Sequence, residues 1–432
     1  MGTMRVFVKS FGCSANLADG EVLAGCLATA GYELVSSALS ADMVVYNTCA
    51  VKEPTENRMI ETLRRVPPGK KLVVAGCLPL INFERLCREV QFDAAVGPAA
   101  GDAIIEVAER VFGGEKILVL KEAARNKPGL DLPRVQLSPV ISIVPVNYGC
   151  LGSCAYCCVM FARGHLRSHT VNEIVDRVRK DLGRGLREFW ITSQDVACYG
   201  KDQGTSLAEL LGALSAIGGD FKIRVGMMTP NVALSILEDL IEAYRSEHVF
   251  KFIHLPVQSG DDQTLKRMRR FYSIDDFKGI VDAFRVRFPE ITLSTDVICG
   301  FPGESEEAFE KSLALVKEVK PDVVNLSKFF ARPRTSAVAM ERDLVSLTEI
   351  KRRSRLMAEL VREVALARNR RWVGWAGEIL VDEVGKIRGS WVGRNFAYKP
   401  IVVKSADNLL GKNLRVEVTG AFQTHLEAEV IE

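Results

Sequence analysis

The chain has 432 residues, 47% of them hydrophobic and 26% charged, with eleven cysteines and a formal net charge of +3 at pH 7. That length and composition suit a soluble globular protein of two to four domains, and the small net charge does not by itself mark a nucleic-acid binder. No stretch approaches the about 18 consecutive apolar residues of a membrane span, the N-terminus MGTMRVFVKSFGC lacks the order of a secretory signal, and an odd cysteine count argues against a fully paired disulfide framework; a reducing, oxygen-poor cytoplasm is expected.

The first hundred or so residues alternate apolar runs, MRVFV, ADMVVY and KLVVA, with helical patterns, which predicts a doubly wound parallel sheet. Each run ends near a cysteine: Cys13, Cys49 and Cys77, 36 and 28 residues apart. Loops leaving the carboxyl ends of parallel strands gather on one edge, so these three thiols can converge, although a buried thiol is the plainer reading of any one of them. Cys26 and Cys87 lie in helical patterns and are expected in the core.

Residues 121–135, charged and with two prolines, read as a linker. Strand candidates follow at 140–146, 187–192, 222–228, 250–255, 291–298 and 322–329, mostly separated by helical stretches. Six such units are too few for a closed eight-fold barrel and suit an open, partial one, with active groups in the loops after the strands. The loop after the first strand carries C-x3-C-x2-C: Cys150, Cys154 and Cys157. Three thiolates hold three corners of a 4Fe-4S cube and leave one iron open for chemistry. Zinc competes, since His165 and His169 are close by, but the second half of a zinc knuckle is missing. Cys158 reads as a small buried hydrophobe.

Gln194 and Asp195 follow the second strand candidate, Gln258, Ser259 and Gly260 the fourth, and CGFPGE the fifth. Asp195 is alternatively a helix N-cap, and the CGFPGE glycines a simple turn. A long basic helical stretch, LTEIKRRSRLMAELVREVALARNRRW, precedes residues from Trp372 onward that alternate as in a small all-β barrel. The expected class is therefore α/β, divided as 1–120, a linker at 121–135, 136–368 and 369–432.

With these residues placed, the C-x3-C-x2-C loop resembles the radical S-adenosylmethionine (SAM) enzymes, and the whole chain resembles the methylthiotransferases among them. The resemblance rests on SFGCSANLADGE (with Asn16, Asp19 and Glu21), NTCAVKEPTENR, VVAGCLP, Arg163–Gly164, HLPVQSG and TDVICGFPGE, and on GRNFAYKPIVV and LLGKNLRVEV, which look like a TRAM barrel. Leu80 stands where the family usually has glutamine, which removes any side-chain hydrogen bond from that position. The stretches VKEPTENRM, ARGHL and ITSQDVACYG look most like the branch acting on threonylcarbamoyladenosine in tRNA; the other branches act on isopentenyladenosine in tRNA or on a ribosomal-protein aspartate. A two-cluster electron-transfer protein with an RNA-binding module is a further alternative.

The resemblance implies two 4Fe-4S clusters, one on Cys150, Cys154 and Cys157 that reductively cleaves SAM, and an auxiliary one on Cys13, Cys49 and Cys77 that carries the sulfur. A 5′-deoxyadenosyl radical would take the hydrogen from carbon 2 of the adenine, and a second SAM would methylate the sulfur. Tyr156 would lie against adenine, and Gln194, Asp195, Gln258 and Asp296 would contact SAM. The implied partners are a tRNA anticodon stem-loop, a low-potential electron donor and a sulfur source, with no membrane. Candidate RNA groups are the KRMRR run at 266–270, the basic helix, Arg394, Lys399 and Lys412 for phosphates, and Phe396 or Tyr398 for stacking.

Overall fold

The structure is a computed structural model that describes residues 3–120 and 127–431. Its first unit is a six-stranded parallel sheet, β1 (Arg5–Ser10), β2 (Glu33–Leu34), β3 (Met43–Thr48), β4 (Lys71–Gly76), β5 (Ala94–Val96) and β6 (Ile117–Val119), in the order β2-β1-β3-β4-β5-β6. Every residue of β3 is buried, as a strand covered on both faces requires. Alternation splits it between two cores: Val44 and Tyr46 pack with Met59, Ile60 and Leu63, while Met43 and Val45 pack with Leu23, Leu27, Ile104 and Val107. The winding direction switches between β1 and β3, so the two strand ends at the switch carry Cys13 and Cys49.

The second unit holds six parallel strands: β7 (Ile141–Pro145), β10 (Glu188–Thr192), β11 (Lys222–Val225), β12 (Phe252–His254), β13 (Thr292–Cys299) and β14 (Val323–Lys328). The strands β8 (Asn147–Tyr148) and β9 (Arg167–Ser168) form a small antiparallel pair that frames the cysteine loop. Parallel bridges Ile223–Val249 and Met227–His254 join β11 to β12, so the six strands run as one open wall in the expected partial-barrel arrangement. Caps start the surrounding helices: Thr170 and Glu173 form a capping box, as do Ser273 and Asp276.

The third unit is a closed barrel of β15 (Ala376–Val384), β16 (Ser390–Arg394), β17 (Pro400–Lys404), β18 (Asn413–Ala421) and β19 (Leu426–Val430). It encloses Ile379, Val381, Ile401, Val403, Val416, Val418 and Leu426, and bulges at Val381/Glu383 and Val418/Gly420 give β15 and β18 the bend that closure needs. The 24-residue helix Leu347–Arg370 leads into it.

Two expectations change. Residues 121–126 of the expected linker lie outside the described residues, and the remainder is bound on both sides rather than acting as a spacer. Leu130 joins the partial-barrel core, Arg177 donates to its carbonyl at 3.2 Å, and Val135 N–H donates to Glu21 O at 3.0 Å. Gly25 lacks a side chain because a Cβ there would meet Pro133 O at 2.2 Å. Cys26 is buried as expected, but Cys87 is exposed: its helix, Phe83–Glu89, turns only Leu86 inward.

Candidate functional site

The six cysteines singled out above line one cavity of about 610 Å³ between the first two units. On the sheet side, a chain of hydrogen bonds joins the three strand ends. Asn16 Oδ1 accepts from Gly12 N–H at 2.8 Å, and its Nδ2 donates to Asn47 Oδ1 at 2.8 Å. Asn47 Nδ2 donates back to Asn16 O at 2.6 Å, which ties the Cys13 loop to the Cys49 loop. Thr48 Oγ1 then donates to Ala75 O at 2.6 Å, and Cys77 N–H to Thr48 O at 3.0 Å. Gly76 between them has φ +94°, and a Cβ there would meet Thr48 O at 2.4 Å, so only glycine lets the third loop come this close. Burial pushes the Cys77 thiol up to about 12 and raises Cys49 too, so binding a metal here must drive off their protons.

On the barrel side, one loop supplies the thiols. Gly149, at φ +76°, sits where a Cβ would meet His165 O at 2.0 Å, and its N–H donates to Gln194 Oε1 at 2.7 Å. Cys157 N–H donates to Cys154 O at 3.0 Å, and Ala155 is clamped between Met268 O and Ala337 N–H, each at 2.9 Å. Sulfur-directed donors are already in place: Gly152 N–H lies 3.2 Å from Cys150 Sγ, and Arg270 Nη1 3.4 Å from Cys154 Sγ. A Cβ on Gly152 would stand only 3.4 Å and 3.7 Å from those two sulfurs. This cradle, three thiols on one loop with N–H donors aimed at them, fits an iron–sulfur cluster.

Two buried ion pairs join the units beside the cavity. Arg163 Nη2 lies 2.6 Å from Asp19 Oδ2, both 2% exposed, with Tyr148 OH on the other carboxylate oxygen at 3.4 Å. Burial pushes the Asp19 carboxyl up to about 6 against the pull of Arg163; burial also works against the guanidinium, yet Asp19 and the nearby Cys77 and Cys13 outweigh it and raise its pKa. The second pair joins Glu56 to Arg332, with Arg85 and Asn82 also on Glu56, each at 2.8 Å.

The other expected ligands divide. Tyr156 lines the cavity with its ring edge-on to Phe301 at 6.4 Å. Gln258 lines it at φ +69°, a strained setting for glutamine, and its carboxamide makes no hydrogen bond among the described residues. Asp296 lines it too; Oδ1 accepts from Asn325 at 2.8 Å and lies 2.9 Å from His254 Nε2. Burial would raise the Asp296 carboxyl, but these partners, His254 foremost, hold it below its ordinary value. Gln194 lines the cavity while its Oε1 holds the cysteine loop. Asp195 behaves as the N-cap alternative foresaw: 2% exposed, its Oδ1 accepts from Ala197 N–H at 3.1 Å and Thr229 N–H at 3.0 Å. The CGFPGE turn packs on the closing helix, where a Cβ on Gly300 would meet Ile350 at 2.3 Å.

One neighbour escaped the sequence reading. Cys198, buried 3.0 Å from Asp195 O, also stands by Cys150 and, against the effect of burial, draws that thiol below its ordinary pKa. Its signal was only its place three residues after Asp195 in the second strand's loop. Cys158 is buried as expected. His165 is exposed, and His169 is buried with neither ring nitrogen hydrogen-bonded among the described residues, its pKa depressed to about 4 by burial; neither lines the cavity, which removes the zinc alternative built on them. Leu80 contributes apolar contact, and its carbonyl accepts from Arg334 at 3.3 Å.

Most of the expected RNA groups are engaged inside the protein. Lys399, 3% exposed, donates to Asp322 at 2.7 Å and Asn369 at 3.0 Å, Arg394 pairs with Asp382 and Glu383, and Tyr398 OH donates to Glu188 at 3.1 Å. In KRMRR, Arg267 pairs with Asp343 and Arg270 is the buried donor to Cys154. Phe396 and Lys412 remain exposed, and Lys351, Arg355, Arg362, Arg370 and Arg371 of the helix region make no ion pair among the described residues.

Residues 144–316 match the radical SAM superfamily, and residues 5–97 match a family described as uncharacterized protein family UPF0004. A Pyrococcus horikoshii protein named probable threonylcarbamoyladenosine tRNA methylthiotransferase is 39% identical, over 99% of this chain and 100% of its own length. The Drosophila melanogaster threonylcarbamoyladenosine tRNA methylthiotransferase is 36% identical over 100% of this chain and 78% of that protein. Among solved structures, the radical SAM methyltransferase TsrM of Kitasatospora setae, with cobalamin and a 4Fe-4S cluster bound, shares the fold at a TM-score of 0.58 and 13% identity, covering 78% of this chain and 74% of that one. The chain belongs to the radical SAM methylthiotransferase family, on the branch of the threonylcarbamoyladenosine tRNA methylthiotransferases.

Proposed function

We propose that this protein adds a methylthio group to carbon 2 of N6-threonylcarbamoyladenosine at position 37, beside the anticodon of tRNA. The observation that carries the reading is that two thiol trios line a single cavity. Carbon 2 of adenine bears a hydrogen that no side-chain base of ordinary pKa removes as a proton, so the reaction needs one-electron chemistry. A 4Fe-4S cluster on Cys150, Cys154 and Cys157 with SAM supplies that chemistry when bound, and a second on Cys13, Cys49 and Cys77 supplies the iron that carries sulfur.

The protein's own groups bind, orient and shield. Gln194 fixes the cysteine loop through Gly149, and Arg270 and Gly152 aim N–H groups at its sulfurs. Tyr156 offers an aromatic edge to adenine, the free Gln258 carboxamide and Asp296 offer polar atoms to SAM, and Asp195 sets the loop beside them. The Asp19–Arg163 and Glu56–Arg332 pairs tie the unit that carries one trio to the unit that carries the other. Met227, Ile298 and Phe329 give the cavity apolar wall that excludes water.

The reading divides the chain into 1–120, a linker at 121–135, 136–368 and a tRNA-holding barrel at 369–432, and it requires a low-potential electron donor and a sulfur source in the cytoplasm. No helix among the described residues is long and apolar enough to cross a membrane. Nucleoside mass spectrometry of tRNA from cells with and without the protein tests the reading: the methylthio-threonylcarbamoyladenosine peak should vanish without it. An unchanged peak would overturn the assignment.

A further inference from the structure

Most cations lining the cavity are already matched. Arg163 faces Asp19, Arg332 faces Glu56, and Arg270 donates to Cys154 and to Pro256 O; Lys52 and Lys328 are exposed. Arg224 differs. Its guanidinium lies 5.2 Å from the ring centre of Trp190, 5.1 Å from that of Phe252 and 5.4 Å from that of Tyr398, and it makes no hydrogen bond or ion pair among the described residues. Aromatic faces stabilise the cation but take none of its five N–H donors. A half-buried guanidinium with unspent donors is arranged for a planar anion, and a carboxylate is the group its fork matches.

Position says which end of an occupant reaches it. Arg224 is level with Trp190 on β10, two residues before that strand ends at Thr192, and two residues before the cavity-lining Gly226. At the rise of a strand this sets it about 7 Å below the strand ends from which the cysteine loop springs. The third ring of its cage, Tyr398, comes from the C-terminal barrel and packs with Phe250 and Phe252.

We infer that Arg224 is the seat of a carboxylate carried into the depth of the cavity, and that this carboxylate is the threonine end of the substrate's side chain. The second half rests on the function proposed above. With carbon 2 presented to the upper cavity, the substituent on N6 is the part free to extend deeper, and in threonylcarbamoyladenosine it ends in a carboxylate. An isopentenyl group would leave the guanidinium unmatched. SAM carries the same chemical group, so the test separates the two sources.

Anaerobically reconstituted full-length protein is titrated with an anticodon stem-loop bearing threonylcarbamoyladenosine, with the same stem-loop carrying the neutral threonine amide, and separately with SAM and decarboxylated SAM. Wild type should bind the acid stem-loop about tenfold to a hundredfold more tightly than the amide, and Arg224→Gln should erase that difference by weakening the acid form alone. Arg224→Lys should keep part of it. If the carboxylate dependence falls on SAM instead, the seat stands and its occupant is the cofactor. If Arg224→Gln weakens acid and neutral ligands alike, or neither, in both titrations, the inference is overturned, with iron content and thermal midpoint showing that the variant is folded. Failure of the proposed function reads out separately, as absence of the methylthio product from wild type, and the SAM titration still tests the seat.

Discussion

The two thiol trios are built by different means. Cys150, Cys154 and Cys157 fall within eight residues of one loop, whereas Cys13, Cys49 and Cys77 leave three different strands and meet only if β1, β3 and β4 pair in register. A loop trio is a local property, held by its own turns and by Gln194, Arg270 and Met268 around it. A sheet trio is a property of topology, held by the Asn16–Asn47–Thr48 network across strand ends. The contrast teaches that the same ligand set can be robust to what happens elsewhere in the chain or wholly dependent on it.

The sharpest way to break the comparison is to remove one thiol from each side. Cys154→Ala should abolish both 5′-deoxyadenosine release from SAM and thiomethylation, because the cluster it would help to hold supplies the electron for SAM cleavage. Cys49→Ala should abolish thiomethylation and leave SAM cleavage in place. Reconstituted wild type should carry about eight irons and each variant about four. Equal loss of cleavage in the two variants would contradict the division of labour.

The next effect concerns what joins the trios. Asp19→Ala leaves the Arg163 guanidinium buried without its counter-charge, which should cost about 3–5 kcal/mol of stability, visible as a lower thermal midpoint of the full chain. The double variant Asp19→Leu, Arg163→Met removes both charges and should recover much of that loss while SAM cleavage and sulfur transfer fall out of step. A double variant as unstable as the single one would show that the pair does more than neutralise itself.

A smaller effect sharpens the contrast between sheet and loop. Gly76→Ala and Gly149→Ala each force a side chain into a left-handed backbone against a carbonyl, at a cost of about 1–3 kcal/mol for the conformation alone. Gly76→Ala should lose iron from the sheet trio and keep SAM cleavage; Gly149→Ala should do the reverse. Iron analysis together with 5′-deoxyadenosine release distinguishes them.

What the sequence made legible follows the same division. The C-x3-C-x2-C loop announces itself through spacing, and the sheet trio through the repeated placing of a cysteine after an apolar run, because strand ends of a parallel sheet share an edge. Charge was the misleading signal. Lys399, Arg394 and Arg270 read as phosphate groups because their partners, Asp322, Asp382 and Cys154, stand 77, 12 and 116 residues away along the chain, and a basic residue shows its counter-charge only in three dimensions. A helical pattern places Cys87 in the core, but the seven-residue helix fully buries only Leu86 and turns Cys87 outward. Arg224 gave no motif at all, since its cage draws one ring from each of two neighbouring strands and one from the distant C-terminal barrel.

The gentlest expected effect lies at that barrel's attachment. Glu188, fully buried, accepts from Tyr398 OH and Trp190 Nε1, and burial together with the nearby Asp382 pushes its carboxyl from 4.5 to about 8. The folded protein therefore holds a proton that the unfolded chain releases. Stability from this group is full below about pH 4.5, is lost as pH rises through the window up to about 8, and is level above it. Burial raises Asp382 as well, which adds a fall of the same sign, while Arg394 opposes it. Thermal unfolding of the full chain should thus show a midpoint that declines from mildly acidic to mildly alkaline pH, and Glu188→Gln, which keeps a neutral acceptor beside Tyr398, should flatten that decline. A decline as steep in Glu188→Gln as in wild type would place the proton elsewhere and leave the joint between β10 and the C-terminal barrel insensitive to pH.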